Sequence, residues 1–242
     1  MLGDDLIELL GDAIPGDHAR QTLADDHIVG HYARLAQSGG GDRVLDLGCG
    51  TGDSVEQFGS VNPNVRWVGV DVERSPEVDA RTRTDAEFRT FDGRSIPADD
   101  GSIDLVYCKQ VLEHVSEPAP LIRDVGRVLR PGGWFAGSTS QLEPYHSLSV
   151  GNITPYGFGR MADAAGMELV ELRPGIDAAT LLLHRALGMP RATRRYWARP
   201  SPLNRAIELM GRAARLRVAQ RNAIKLLFCA QYAFLARRRE GS

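Results

Sequence analysis

Short uninterrupted apolar runs alternate along the chain with stretches in which apolar residues return every three or four positions. The runs at 43–47 (RVLDL), 66–70 (RWVGV), 86–91, 103–108 (IDLVYC) and 134–139 (WFAGST) predict strands. VLDL and IDLVY lack a two-residue alternation, as strands buried on both faces do. Helical spacing covers 4–11, 24–37, 52–60 and 118–130. In the second of these, Ile28, Val29, Tyr32 and Leu35 share one stripe and Gly39-Gly40-Gly41 ends it. Pro131-Gly132-Gly133 is expected to stop the last. This alternation predicts an α/β chain with a doubly wound, mostly parallel sheet.

Past 139 the pattern changes. A polar and aromatic stretch, QLEPYHSLSVGNITPYGF, leads to an expected helix near 155–165 and a strand at 167–173. Residues 177–187 read as a helix with Asp177 as N-cap and Gly188-Met189-Pro190 as stop. A single helix is expected over 202–225, with Leu203, Ile207, Met210, Ala214 and Val218 on one stripe, and a strand over 226–236. The expected organisation is a single domain, 1–242. It comprises a helical cap (1–41), a core (42–175), an Arg-rich helical insert before the last strand (176–225), and the last strand with its tail (226–242).

Charge adds what periodicity does not show. The net charge of −2 hides an acidic body and a basic end. Residues 1–184 carry 15 Lys/Arg against 29 Asp/Glu, and residues 185–242 carry 14 against two. Such asymmetry fits self-association as a homodimer, an anionic ligand, or peripheral contact with a membrane. With Tyr196 and Trp197 as its few aromatics, the basic segment is poorly equipped to stack on nucleic acid. Three Cys (Cys49, Cys108, Cys229) lie far apart in apolar runs, which predicts a reducing, cytoplasmic setting. The acidic start lacks the apolar segment of a signal peptide, and no apolar run approaches the roughly 20 residues of a membrane span.

The strongest local signal is VLDLGCGTG, Val44 to Gly52, between a buried strand and a helix. Gly48, Gly50 and Gly52 let the backbone turn tightly against a ligand at the carboxyl ends of the strands. Asp71 closes the next strand, VGVDV, where an acid accepts from both hydroxyls of a ribose. Two cofactor classes compete for such a turn. A dinucleotide site wants a third glycine three residues after the second, and here Asp53 stands in that place. Asp46 and Asp53 also oppose a pyrophosphate and suit a cationic nucleoside. A nicotinamide-dependent oxidoreductase is therefore the weaker alternative.

VLDLGCGTG, VGVDV, Asp92 after the third strand, SIDLVYCKQVLEHV and LRPGG together resemble the class I S-adenosylmethionine-dependent methyltransferase family, over about residues 43–139. It is the branch methylating small molecules and glycans that the motifs resemble. The resemblance implies a Rossmann-like sheet of seven strands whose last is antiparallel, slotted between the strands at 134–139 and 167–173. It also implies that Asp46, Gly48, Cys49, Gly50 and Gly52 cradle the methionine part of the cofactor. Asp71 and the neighbouring Val72 would then hold the ribose, and Asp92 and Gly93 the adenine. Lys109, Gln110 and Val111 would stand beside the methyl donor. Read as a bland structure, Asp46 only fixes the turn, Asp92 is a turn acid and Cys49 is apolar filler.

Methyl transfer asks the protein to align donor and acceptor and to exclude water. A hydroxyl acceptor also needs a base. His146 and His114 are the candidates, with Glu143. Tyr145, Asn152 and Tyr156 accompany His146 on a loop that suits a polyol, so a saccharide or similar small molecule is the expected acceptor of an O-methyltransferase. A lipid or quinone-like hydroxyl at a membrane is the alternative. On the N-terminal helix, His31 (or His27) is placed to close over the cofactor carboxylate. Glu143 with His146 or His114 offers ligands to a divalent ion such as magnesium, but no ligand spacing is diagnostic, so no metal is implied.

Overall fold

The computed structural model describes residues 3–17, 24–143, 148–197 and 199–241. Two helices, α1 (Asp4–Leu10) and α2 (Ala24–Gln37), precede the first strand. The core then runs β1 (Arg43–Leu47), α3 (Ser54–Val61), β2 (Arg66–Asp71), α4 (Pro76–Asp79), β3 (Glu87–Thr90), β4 (Ile103–Lys109), α5 (Pro118–Val128) and β5 (Leu129–Ser140). After it come α6 (Pro155–Ala164), β6 (Met167–Pro174), α7 (Ala178–Ala186), α8 (Arg191–Arg194), α9 (Pro202–Ala213), α10 (Val218–Phe228) and β7 (Gln231–Arg238).

The strands form one seven-stranded sheet in the order β3-β2-β1-β4-β5-β7-β6. β1 to β5 pair in parallel, and β7 lies antiparallel between β5 and β6. This is the doubly wound, Rossmann-like architecture expected. β1 and β4 are central, and Val44, Leu45, Leu47, Leu105 and Val106 are wholly buried, which explains their unalternated apolar runs. One face packs Leu45, Val106, Phe135 and Phe158 with the helices of that side. The other packs Ile28, Tyr32, Phe58 and Trp67. The strand order reverses between β1 and β4, so their carboxyl ends open the crevice where ligands of this fold class bind.

Three boundaries differ from the sequence pattern. α5 ends at Val128, and the strand runs through Pro131-Gly132-Gly133 instead of starting after it. A Cβ on Gly133 would stand 2.9 Å from the Arg130 carbonyl oxygen, so glycine here serves a close backbone approach, not only a helix stop. The helix expected over 202–225 is two, because Arg215 turns left-handed (φ 57) and Leu216 N donates to Gly211 O at 2.8 Å. Gly211 then lies against the Arg221 side chain, folding α10 back on α9. Residues 226–228, expected in the last strand, belong to α10, with Leu226 fully buried. A short apolar run fits a buried helix end as well as a strand.

His31 is also not where expected. It packs edge-on against Trp134, ring centroids 4.2 Å apart, and Trp134 registers with Leu105 near the start of β4. The ring thus lies over the body of the sheet, not over the carboxyl ends. Burial lowers its pKa to about 4, so it is a neutral core side chain. His27, one turn earlier, pairs with Glu171 of β6.

Candidate functional site

The glycine turn is built from backbone. Gly48 N donates to Val70 O at 2.7 Å, carrying the β1–β2 pairing one residue past the strand. Gly48, Gly50 and Gly52 have φ of 76, 50 and 87, the left-handed region that glycine adopts without strain. A Cβ at Gly48 would meet Val111 Cγ2 at 2.2 Å, so Val111, just past β4, rests directly on the turn.

Asp71 faces this turn from the end of β2. Its Oδ2 accepts from Gly50 N at 2.7 Å and its Oδ1 from Val72 N at 2.8 Å. A carboxylate offers about four lone-pair sites, so the group retains capacity for a pair of hydroxyl donors. Asp46 is buried and accepts from Ser54 Oγ at 2.5 Å, while Trp67 Nε1 donates to Ser54 Oγ at 2.9 Å. That relay ties the first residue of α3 to β1 and β2 and locks the turn. Cys49 is buried, and burial with the Asp46 and Asp71 charges pushes its thiol up to about 12, the state of a packing residue. Arg81, which sequence inspection passed over, donates from Nε to Gly50 O at 2.8 Å and stacks 4.0 Å over Phe88.

One strand further out, Phe91 N donates to Asp71 O at 2.9 Å, which brings Asp92 and Gly93 beside Asp71. The exposed Asp92 carboxylate accepts from Ser95 N at 2.7 Å and Arg94 N at 2.8 Å, and these bonds hold its pKa below the usual carboxylate range. Gly93 is left-handed, φ 85.

The end of β4 carries strain. Lys109 is exposed, and Gln110 takes φ 53, which a non-glycine residue rarely adopts. Gln110 N donates to Ser138 O at 2.9 Å and Nε2 to Ser138 Oγ at 3.1 Å, fastening the conformation to β5. A 3-10 turn, Leu112–His114, follows. In it His114 is half-buried and Glu113 almost wholly buried.

Glu113 belongs to a buried polar network that sequence inspection also missed. Thr139 Oγ1 donates to Glu113 Oε2 at 3.1 Å. Ser140 Oγ stands 3.0 Å from Glu113 Oε1, 2.6 Å from Glu143 Oε2 and 3.3 Å from Gln110 Oε1. One hydroxyl proton cannot satisfy three acceptors at once, so the two carboxyl groups crowd one another at Ser140. Burial raises the pKa of Glu113, which favours its protonated form over that of an exposed carboxyl. Glu143 is not an open base. It is buried and accepts from Ser140, from Gln231 Nε2 at 2.7 Å and from Arg185 of α7, so its oxygens are already engaged.

The segment after 148 closes over these groups. Val150 N and Gly151 N donate to Glu113 O at 2.8 and 3.2 Å, and Ile153 N to Ser140 O at 2.8 Å. Asn152 donates from Nδ2 to Glu143 O at 3.1 Å, so its amide shapes the loop. Tyr156 is exposed on α6. Tyr145 and His146 lie outside the described residues. Among the described residues no three His, Cys, Asp or Glu side chains gather as a metal site, and no helix is long and apolar enough to cross a membrane.

The crevice is therefore lined by acceptors: Asp71, Asp92, the buried Asp46 and the turn carbonyls. Those acceptors fit a cationic nucleoside with free ribose hydroxyls and disfavour a pyrophosphate. Comparison with known proteins agrees. Residues 45–137 match a family described as a methyltransferase domain. A 37.1 kDa protein of a Streptomyces fradiae transposon is 39% identical over 98 residues, covering 38% of this chain and 28% of that one. A ubiquinone biosynthesis O-methyltransferase of Thiobacillus denitrificans is 31% identical over 157 residues, covering 54% of this chain and 67% of that one. The chain thus spans from about a quarter to two thirds of these relatives' lengths. Among solved structures, a 4+2 cyclase superposes with a TM-score of 0.57 at 21% identity, covering 89% of this chain and 81% of that one. At that identity the match speaks for the fold, which hosts more than one chemistry. With the acid-lined glycine turn in place, the chain belongs to the class I S-adenosylmethionine-dependent methyltransferases.

Proposed function

We propose that the chain methylates a hydroxyl oxygen on a small, largely apolar acceptor. The observation that carries this reading is the carboxylate of Asp71 bonded to Gly50 N on a left-handed glycine turn. When bound, S-adenosylmethionine supplies an electrophilic methyl group on a positively charged sulfur.

Asp71, beside Val72, accepts from the ribose hydroxyls. The turn from Asp46 through Gly48, Cys49, Gly50 and Gly52 receives the methionine part, and Asp92 with Gly93 borders the adenine. Lys109, Gln110 and Val111 would stand beside the methyl donor, and the strained backbone at Gln110 fixes that edge. His114 would take the acceptor's hydroxyl proton, leaving the oxygen free to receive the methyl group that the bound cofactor would supply. Glu113, bonded to Thr139 and Ser140, holds the His114 turn in place.

Leu142, Leu148 and Val150 are exposed large apolar residues on the segment over Glu113 and Ser140. They favour an apolar acceptor, as does the likeness to O-methyltransferases named for ubiquinone biosynthesis. A saccharide has less to support it, since the Asn152 amide is engaged with the Glu143 carbonyl. No step requires a metal in this reading.

Calorimetry with S-adenosylmethionine and NAD tests the reading. The native chain should bind the first and not the second, and Asp71→Ala should weaken binding at least tenfold, about 1.4 kcal/mol or more. His114→Ala should keep cofactor affinity and lower kcat by roughly a hundredfold or more. Indifference of binding to Asp71→Ala would sink the cofactor assignment. Loss of turnover in His146→Ala, with His114→Ala still active, would move the base to His146.

A further inference from the structure

Two helices of the basic segment carry their apolar stripes outward. On α7, Thr180, Leu181 and His184 are buried, while Ala179, Leu182, Leu183, Ala186 and Leu187 are exposed at helical spacing. On α9, Ala206, Leu209, Met210 and Ala213 repeat the arrangement. Leu182, Leu183, Leu187, Met189, Leu209 and Met210 are each more than half exposed. A helix on a water-facing surface shows the reverse. The two helices are held together at their starts, where Ser201, the N-cap of α9, bonds the Asp177 N-cap of α7.

The segment joining them contains a cavity of about 130 Å³ lined by Arg195, Tyr196, Arg199 and Arg205. Arg195 stacks on Tyr196 and donates to its hydroxyl at 3.0 Å. The one acid between 178 and 217, Glu208, already faces Arg212, Arg221 and Lys225. Arg185 is held by Glu143. Among the described residues no carboxylate pairs with Arg195, Arg199 or Arg205. Three guanidinium groups around one small cavity repel one another until an oxyanion enters, and their forked donors match a phosphate.

We propose that this face lies on an anionic phospholipid bilayer, with a headgroup phosphate in the Arg195–Arg199–Arg205 cavity and the α7 and α9 stripes in the acyl boundary. A bilayer presents both chemistries in one layer, phosphate outside and hydrocarbon beneath. A second copy pairing through its own stripes would bring two arginine-rich faces together, a repulsion that an anionic bilayer does not have. Arg185 joins α7 to Glu143, so docking sets the acceptor side of the crevice at the membrane, where an apolar hydroxyl compound dissolves. That last clause rests on the acceptor proposed above; the docking itself does not.

Flotation of the full chain, without cofactor, on phosphatidylcholine vesicles and on mixed phosphatidylcholine–phosphatidylglycerol vesicles tests this. Binding is expected to the mixed vesicles alone and to weaken with salt. Combined Arg195→Gln, Arg199→Gln and Arg205→Gln should weaken it roughly a hundredfold. Leu183→Ser with Leu187→Ser should weaken it about tenfold, and Arg66→Gln, at the opposite ends of the strands, should not. Circular dichroism and S-adenosylmethionine affinity confirm that each variant is folded, and the leucine pair keeps the test valid if the arginine variant is not. Four results would overturn the proposal: no vesicle binding, equal binding to neutral vesicles, binding of inorganic phosphate without vesicles, or a concentration-dependent dimer in place of vesicle binding.

Discussion

The glycine turn and the Arg-rich helices are specified in opposite ways. The turn is acidic and is held by neighbours: Gly48 on Val70, Gly50 on Asp71, Asp46 on Ser54. Its shape follows from backbone conformations that few residues other than glycine adopt. The helices from α7 to α10 are basic; Glu208 ties α9 to α10, Ala223 and Leu226 of α10 enter the core, and Arg185 to Glu143 links α7 to the end of β5. The turn is thus encoded largely over a short stretch, whereas the link from α7 to the body depends on a pair 42 residues apart.

The largest effect that would test this contrast is cutting the link between the two sides. Glu143→Gln leaves Arg185 without its anion and should cost about 3 kcal/mol by chemical denaturation. Limited proteolysis should then cut within 178–217 while S-adenosylmethionine affinity holds. Equal loss of cofactor binding would show that the two sides are one unit.

Gly48→Ala probes the other side. The φ of 76 and the 2.2 Å approach to Val111 predict a loss of about 2 kcal/mol together with cofactor affinity. Val111→Ala in the same chain should recover part of it, which a double-mutant cycle reads directly.

Acid should loosen the region under α2 before it touches the turn. His31 has its pKa lowered to about 4 by burial, and Glu171, despite burial, is held at about 2 by His27 and Arg173. Both folded values lie below the ordinary ones, so the unfolded chain binds more protons in between. Stability should be full above about pH 6.5 and fall as pH drops through 4 towards 2, by an amount on the order of 2 kcal/mol. Denaturation midpoints across pH measure it, and His31→Phe should flatten the upper part of the slope.

The smallest expected change is at Glu113. If it already carries a proton, Glu113→Gln should alter stability by less than about 1 kcal/mol, in contrast to Glu143→Gln. A large loss would mean that Glu113 is ionised.

Much of the sheet was legible because buried parallel strands write themselves as apolar runs. Strands β1, β2, β4 and β6 fall where RVLDL, RWVGV, IDLVYC and MELVELR placed them. What escaped was decided by tertiary contact. Nothing local tells that Leu129 joins β4, that Arg215 reverses the chain, or that 226–228 stay helical. Within the site, Asp71 and the glycines announce themselves by spacing. Glu113, Ser140 and Arg81 do not, since their partners lie on other strands or on a loop tens of residues away. Glu113 left one clue, an acid in the apolar run VLEHV just after a central strand. His31 shows the converse: a histidine on a helix facing the right sheet carries no sign of the depth at which it will lie.

The position of β7 has a consequence for how this protein comes into being. As a nascent chain leaves the ribosome, β5 and β6 are made well before the strand that separates them. Until residues 231–238 emerge, two apolar edges stand open side by side, able to zip onto each other or onto a neighbouring polysome's product. The 56 residues translated in that interval, 175–230, set how long those edges stay open, and a chaperone that shields sheet edges would have its work there.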